Sequence, residues 1–452
     1  MYVCCVLLRP ILVVACVKRA IALSTLLGIS LAHPAMARPN ADKADAAVRA
    51  FMAQEGIPTA HITILHGDEV ILQRGYGSIG ADGRVPDAAS VFPLGSISKQ
   101  FTAAAIMALA DAGKVRLDAP VGEYLPEWFA NEPGLRVSHL LAQTSGLADF
   151  LWLEGYRPLA DDAATPIAAY IALAATAPRR FPPGERWAYS NTNYTALALI
   201  AERVTGQQFD SVLTSHVLRP AGLEGIVSCH SLQQKQYVSG VSGEGKPTPL
   251  DASAAAYVGA GGLCAGAASL AKWLRLVLAS PDARMPRLAR ANQLTDGTQV
   301  PYGYGLSTRD FLGQAMVWHG GNVDSHSSMI GYLPGADIGL VILTNRGFVW
   351  LTELMPSLIG AVPPPRTPAA GTPLSGHFED GLFGYTVTPE GEAMLVKIDL
   401  IDTLRFIAAG PREYIAERFP ATFRIRLPTD GSRDHFELDW GEVRSYARRV
   451  KE

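Results

Sequence analysis

The stretch FPLGSISKQFTAAAIMALADAGK, residues 92–114, places a glycine, a serine and a lysine directly before a run of mostly apolar residues. This pattern predicts a buried helix that begins at Ser96 and stops at Gly113. Residues three positions apart share one face of a helix, so we expect the Ser96 hydroxyl and the Lys99 amine to meet. The helix N-terminus would favour negative charge on a deprotonated serine. The Ser96 backbone N–H could also donate to an oxyanion.

Burial of this helix would remove water from Lys99, which lowers the pKa of its amine towards that of a usable base. A Ser-x-x-Lys sequence is weak evidence alone, because roughly one is expected by chance in a chain of this length. A second copy, Ser269-Leu270-Ala271-Lys272, is indeed present. We expect Ser269 to be a helix cap.

Two further motifs support the first copy. Tyr189-Ser190-Asn191 follows it along the chain, and His319-Gly320-Gly321 follows at the end of a predicted strand. A Tyr189 phenolate beside Lys99 could take the Ser96 proton and return it to the leaving group. Asn191 could hold the substrate amide. The backbone N–H of Asn322, just after the third motif, could be the second oxyanion donor.

Together these motifs resemble those of the serine β-lactamase and penicillin-binding-protein superfamily, in the branch with class C β-lactamases, DD-peptidases, D-aminopeptidases and related esterases. The resemblance covers about residues 45–350 and includes the flanking sequences SHLLAQTSGL, FPPGE and GLVILTN. It implies a catalytic Ser96, Lys99 and Tyr189, with Asn191, His319, Gly321 and Asn322 at the substrate and oxyanion positions. It also implies a site between a sheet and a helical lobe.

The third motif departs from the family pattern. Class C β-lactamases carry Lys-Thr-Gly there and some DD-peptidases carry His-Thr-Gly, whereas Gly320 replaces the threonine in this chain. The missing hydroxyl weakens recognition of a substrate carboxylate. Amide or ester substrates without that anion are therefore favoured.

The expected fold is α/β in the broad sense (α+β), with an antiparallel sheet flanked by helices and an inserted helical lobe. Strands are predicted at residues 61–76 and 302–345, on either side of a mostly helical region. A Pro-rich linker is predicted at 361–373. The alternation in residues 374–452 predicts a small C-terminal β-barrel or sandwich. The catalytic domain would then span residues 38–360.

Residues 1–37 resemble an export signal, because an apolar run after Lys18 and Arg19 ends in Ala35-Met36-Ala37. This predicts a periplasmic or secreted protein without a stable membrane span after cleavage. Lipidation at Cys16 is a minor alternative. Cleavage would leave two cysteines, Cys229 and Cys264. The sequence does not decide whether they are two buried thiols or form one disulfide.

The chain of 452 residues has 48% apolar residues, 18% charged residues and a formal net charge of −3. This is a globular composition that gives no electrostatic case for binding nucleic acid. The sequence implies no cofactor or metal, and it leaves the oligomeric state open.

We therefore expect an exported serine hydrolase that forms an acyl-enzyme at Ser96 and cleaves small amides, short D-residue peptides or esters. DD-carboxypeptidase or class C-like β-lactamase activity is the enzymatic alternative. A penicillin-binding sensor that acylates without turnover is the alternative of another class, and sensors of this type need transmembrane signalling segments.

Overall fold

The computed structural model describes thirteen segments of the chain, which are residues 38–79, 83–162, 164–233, 236–242, 244–250, 257–277, 288–289, 292–361, 372–380, 383–399, 402–419, 423–440 and 443–450. The predicted export signal and most of the predicted linker lie outside these residues and stay predictions. None of the helices in the described segments is long and apolar enough to cross a membrane.

The described α-helices, numbered α1 to α11 along the chain, are Ala41–Glu55, Ser98–Asp111, Pro126–Phe129, Val137–Leu141, Tyr156–Ala160, Ile167–Thr176, Asn191–Thr205, Phe209–Leu213, Arg219–Ala221, Ala267–Val277 and Met355–Leu358. The described strands, numbered β1 to β21, are Thr59–His66, Glu69–Gly77, Phe92–Pro93, Ile226–Ser228, Gly240–Val241, Pro247–Thr248, Leu263–Ala265, Asn292–Gln293, Gln299–Val300, Ser307–Phe311, Gln314–Val323, His326–Leu333, Ile338–Thr344, Gly376–Glu379, Gly384–Glu390, Ala393–Ile398, Asp402–Gly410, Glu413–Ala416, Phe423–Arg426, His435–Trp440 and Val443–Arg449.

A six-stranded antiparallel sheet combines strands from both ends of the catalytic region, in the order β10-β11-β12-β13-β1-β2. The central pairing of β1 with β13 sets Ile62 opposite Ile342 and Ile64 opposite Leu340. Every residue of β13 is buried, which explains its continuous apolar sequence. The predicted sheet and the strands that form it are therefore confirmed.

Helix α2 belongs to the buried core of the helical lobe, whereas α10 contacts β1, β12 and β13 of the sheet. Ten residues of α2 are buried, and this helix contacts α7 of the lobe. Phe101 stacks on Trp273 of α10 with ring centroids 4.3 Å apart. The Trp273 indole N–H donates to Gln100 Oε1 at 3.0 Å, so these two buried atoms are paired.

Two helix boundaries differ from the sequence prediction. Ser96 lies in a 3₁₀ turn, Gly95–Ile97, and α2 begins at Ser98 rather than at Ser96. Helix α10 begins at Ala267, so Ser269 lies inside its first turn. The prediction of Ser269 as a cap is wrong, because the small residues Gly266-Ala267-Ala268 let the helix begin earlier.

A disulfide joins Cys229 to Cys264 and resolves the alternative that the sequence left open. Cys264 lies in β7, which pairs with β3 directly before the Ser96 turn. Cys229 is held to the same segment by its N–H, which donates to the carbonyl of Gly262 at 2.8 Å. The crosslink thus fixes a segment that borders the turn carrying Ser96.

Strands β14 to β21 form a closed antiparallel barrel. Strand β14 pairs with β21 to close it. Alternate residues such as Phe423, Ile425 and Leu438 fill its interior. The predicted C-terminal barrel is confirmed, and closure leaves it without a free sheet edge. The domain boundaries proposed from the sequence remain a prediction.

Candidate active site

The turn that carries Ser96 depends on the glycine before it. Gly95 has a φ of +51°, and a Cβ atom there would lie 2.8 Å from the Asn322 backbone nitrogen. Only glycine fits both the backbone angle and this close approach. The turn therefore brings half-buried Ser96 close to the end of β11, as the motif order predicted.

Lys99 lies one turn further along and is fully buried. Its Nζ is 3.0 Å from Ser96 Oγ, 2.7 Å from Asn191 Oδ1 and 2.7 Å from the carbonyl oxygen of Ala260. The amide and carbonyl oxygens can only accept, so they hold two N–H groups of the amine. The Ser96 hydroxyl can either accept or donate. A proton can therefore pass between Ser96 and Lys99 without movement of the amine.

Asn191 is oriented by a carboxylate that the sequence analysis missed. Asp149 Oδ2 accepts from both the backbone N–H and the side-chain Nδ2 of Asn191, each at 2.9 Å. This pair of contacts turns Asn191 Oδ1 towards Lys99. Burial raises the pKa of Asp149, while the N–H groups of Asn191 and Leu151 oppose that rise. Nδ2 has a second N–H, so a contact from Asn191 to substrate stays a prediction.

Gln143 holds the loop that carries the second motif, Tyr189-Ser190-Asn191. It is fully buried in the left-handed region with a φ of +60°, which is uncommon for a residue other than glycine. Its carbonyl accepts from the Ala188 N–H at 2.9 Å, and its side-chain Oε1 accepts from the Ser190 N–H at 3.0 Å. These bonds hold the loop on either side of Tyr189.

Tyr189 lies over the Lys99 amine, with its ring centroid 4.8 Å from Nζ. Its ring belongs to an aromatic cluster with Trp187, Tyr302 and His319, at centroid separations between 5.7 and 6.5 Å. The structure therefore places the three predicted catalytic side chains together. Tyr302, which the sequence left open between pocket and core, belongs to this cluster.

His319 is fully buried and neutral. Burial, together with the charge of Lys99, lowers its pKa to about 3, and the hydrogen bond to Gly320 only partly opposes this. Nδ1 is 2.6 Å from the Gly320 carbonyl oxygen, and Nε2 is 3.0 Å from the Tyr302 hydroxyl. We assign the proton to Nδ1, because a carbonyl can only accept, so the Tyr302 hydroxyl donates to Nε2.

Gly321 allows the end of β11 to approach the turn that carries Ser96. A Cβ atom at this position would lie 1.9 Å from the Leu94 carbonyl oxygen, so even alanine would not fit. The partner strand β10 pairs with β11 only as far as Trp318 in the described register. The next residues of β11 therefore provide an edge along which an extended substrate can lie.

Comparison with known proteins agrees with this geometry. The family model described as Beta-lactamase matches residues 44–350. The chain belongs to the Beta-lactamase family. The match contains every predicted site residue.

Among relatives of this Beta-lactamase family member, the D-aminopeptidase of Gluconobacter oxydans is 27% identical over 392 residues, which cover 82% of this chain and 72% of the relative. Protein flp of Staphylococcus aureus is 26% identical, and the chain spans 62% of its length. The octameric penicillin-binding protein homologue from Pyrococcus abyssi has a TM-score of 0.61 at 21% identity, over 90% of this chain and 99% of that one. The structural likeness establishes the fold of both the catalytic part and the barrel.

Proposed function

We propose that this Beta-lactamase family member is a serine hydrolase that forms an acyl-enzyme at Ser96. The observation that carries the proposal is the 3.0 Å separation between Lys99 Nζ and Ser96 Oγ, with the amine buried and held by Asn191 and Ala260. A buried amine fixed against a hydroxyl at a turn is an arrangement that activates a nucleophile.

In the first step, Ser96 Oγ attacks the substrate carbonyl carbon while its proton passes to the Lys99 and Tyr189 pair. The backbone N–H groups of Ser96 and Asn322 stabilise the oxyanion. The bond to the leaving group then breaks, and the same pair returns the proton to the departing amine or alcohol. Water next attacks the ester at Ser96, gives its proton to the pair and releases the acid. Ser96 regains its proton in this last step.

The substrates we propose are small amides, short D-residue peptides or esters. A neutral His319 supplies no positive charge for a substrate carboxylate, and Gly320 supplies no hydroxyl. The missing hydroxyl at Gly320 disfavours the carboxylate-bearing substrates of a DD-carboxypeptidase or β-lactamase, whereas a histidine at the first position of this motif also occurs in some DD-peptidases. The relative named D-aminopeptidase supports the same choice.

We also propose that the protein is exported to an oxidising compartment. The disulfide between Cys229 and Cys264 supports this, because such bonds persist mainly outside the cytosol. Expression of the full-length chain in bacteria, followed by fractionation and N-terminal sequencing, tests it. Intact chain confined to the cytosol would contradict export.

A hydrolysis panel tests the proposed reaction with the protein as it is expressed. The substrates are D-amino-acid amides, p-nitrophenyl esters, D-Ala-D-Ala peptides and nitrocefin. Ser96→Ala should abolish turnover, whereas Ser269→Ala, at the second Ser-x-x-Lys copy, should retain it. Full turnover by Ser96→Ala, or loss only in Ser269→Ala, would reject Ser96 as the nucleophile.

A further inference from the structure

We propose that Asp149 is a positioning residue for the reaction, because it fixes the direction in which the Asn191 amide faces Lys99. A fixed amide keeps the lone pair of the lysine amine directed at the Ser96 hydroxyl. The inference rests on the proposed function at Ser96 and adds a residue from outside the three sequence motifs. Three features support it: the N–H groups that the carboxylate accepts, the polarity of the Asn191 amide, and the contacts of the Asp149 loop.

The Asp149 carboxylate accepts three N–H groups. Its Oδ2 accepts from the backbone N–H and the side-chain Nδ2 of Asn191, each at 2.9 Å, and its Oδ1 accepts from the Leu151 N–H at 3.1 Å. Both oxygens therefore serve as acceptors in a side chain that belongs to a residue only 4% exposed. Asparagine has the same shape, but its NH₂ group would face one of these N–H donors. Of the two side chains, only the carboxylate can accept from all three.

The Asn191 amide joins this carboxylate to the Lys99 amine with one polarity. Its Nδ2 donates to Asp149, and its Oδ1 lies 2.7 Å from Lys99 Nζ. The reverse orientation would set the amide oxygen against the carboxylate and the NH₂ group against the N–H groups of the amine. In the observed orientation, Lys99 donates one N–H to Asn191 and one to the Ala260 carbonyl. The lone pair of the neutral amine is then directed at Ser96 Oγ, 3.0 Å away.

The loop that carries Asp149 is bonded to the start of α7 on both sides of the carboxylate. Thr192 Oγ1 accepts from the Phe150 N–H at 3.0 Å and donates to the Ala148 carbonyl at 2.7 Å. The Ser190 side chain makes no capping hydrogen bond to α7. Asp149 instead accepts the first N–H of this helix, where the helix dipole favours a negative charge. A purely structural role of Asp149 as a helix cap is therefore the competing interpretation.

A double-mutant cycle separates positioning from capping. The variants are Asp149→Asn, Asn191→Ala and the double variant, each assayed with p-nitrophenyl acetate in the protein as it is expressed. We expect Asp149→Asn to lower kcat by about 10- to 100-fold and to leave KM within about threefold of wild type, because a group beside the reacting atoms is misplaced. In the Asn191→Ala background the same substitution should lower kcat by less than about twofold, since Asp149 acts through Asn191.

Asp162→Asn is the matched control. Asp162 accepts from the N–H two residues further along the chain, at 2.9 Å, as Asp149 does from Leu151. It is exposed and belongs to the loop between α5 and α6, whereas Asp149 meets the start of α7. The control should keep wild-type kcat and KM. Asp149→Ser is a second variant, because its shorter side chain moves the acceptor away from Asn191, and it should show the same loss of kcat.

The outcomes separate this inference from the proposed function. If hydrolysis requires Ser96 but both Asp149 variants keep wild-type kcat, the positioning role is rejected and the nucleophile stands. The same holds if Asp149→Asn lowers kcat by one factor with and without Asn191. If neither Asp149 variant folds where Asp162→Asn does, Asp149 serves the fold alone and the inference is rejected. If Ser96→Ala hydrolyses the ester as wild type does, or if wild type does not hydrolyse it, the proposed function fails and the inference fails with it.

Discussion

At the scale of single residues, we propose that Lys99 and Tyr189 together take the proton from Ser96. The amine is fully buried, and the Tyr189 ring lies 4.8 Å from it. We predict that Lys99→Ala and Tyr189→Phe each lower kcat by roughly 10² to 10⁴, as the loss of a general base does. The two losses should not add, because both residues belong to one proton relay.

Steady-state kinetics of the two single variants and the double variant test the relay. Lys272→Ala is the matched control, because Lys272 occupies the same position in the second Ser-x-x-Lys copy and donates to the Gly222 carbonyl. It should leave kcat unchanged. A double variant that shows the full product of the single losses would argue for two independent roles.

The site residues that the sequence reveals lie in short motifs, whereas those that it does not reveal act through contacts between distant parts of the chain. Ser96, Lys99, Tyr189 and His319 belong to short motifs whose spacing carries chemical information. Asp149 acts through a loop contact with Asn191, 42 positions away in the chain, and no local pattern marks it. The Ala260 carbonyl that holds Lys99 has no side-chain signature at all. Such contacts become visible only once the chain has folded.

At the scale of elements, we propose that the approach of β11 to the Ser96 turn sets the positions of the two oxyanion donors. Gly321 is the point of closest contact, since a Cβ atom would lie 1.9 Å from the Leu94 carbonyl oxygen. We predict that Gly321→Ala forces the strand and the turn apart and lowers kcat by at least about tenfold, with a smaller effect on KM. Kinetics and thermal unfolding of the folded variant measure this.

Gly134→Ala is the control for this substitution, because a Cβ atom there has no heavy atom within 4 Å. It should retain both activity and melting temperature. If Gly321→Ala keeps wild-type kcat, the tight approach of β11 is not needed for catalysis.

The sheet was the most predictable element, and the reason is its composition. The apolar residues of β1, β12 and β13 can be buried only if the sheet is covered on both faces. The start of α2 was placed two residues too early, because the Ser96 turn is 3₁₀ and both helix types begin with similar residues. The disulfide could not be assigned, since spacing does not determine whether two thiols meet.

At the scale of the whole molecule, the barrel contacts the catalytic part near the second motif. Arg180 donates to the Asp380 carbonyl at 2.6 Å, and the Trp152 and Phe383 rings meet edge to face at 5.6 Å. Asp149 and Asp380 both oppose the lowering of the Arg180 pKa by burial. Asp380, next to the barrel, and Asp149, which orients Asn191, thus act on the same guanidinium.

We predict that Phe383→Ala changes selectivity for substrate length more than it changes the chemistry. It should alter KM for peptides of three or more residues by about three- to tenfold, while kcat on a single amino-acid amide stays near wild type. A length series of peptide substrates measures this. Identical profiles for Phe383→Ala and wild type would mean that the barrel does not influence the site through this contact.

Acid sensitivity is a second property of the whole molecule. Burial lowers the pKa of His61 and His326 to about 4 and that of His319 to about 3. Below pH 6.5 these three histidines bind protons in the unfolded chain but stay neutral in the folded chain. The free energy of unfolding should therefore fall with falling pH, by about 1.4 kcal/mol per unit for each histidine, until the folded pKa is reached.

Chemical unfolding between pH 7 and pH 5 checks this slope. His61→Leu should reduce the slope by about 1.4 kcal/mol per pH unit, the contribution of one proton. The reason is that the His61 ring is buried and Asp87 only partly opposes the lowered pKa. His230→Gln, at an exposed position, should leave the slope unchanged. An unchanged slope in His61→Leu would contradict the burial of a neutral imidazole in the folded state.

We propose that Ser96 carries the acyl group during turnover. The most direct test is an acid quench of the enzyme with an activated ester substrate, followed by mass spectrometry of the intact chain and of its peptides. We expect one added acyl mass, located on Ser96 and absent from Ser96→Ala. An acyl group on another residue, or an acylated Ser96→Ala protein, would contradict it.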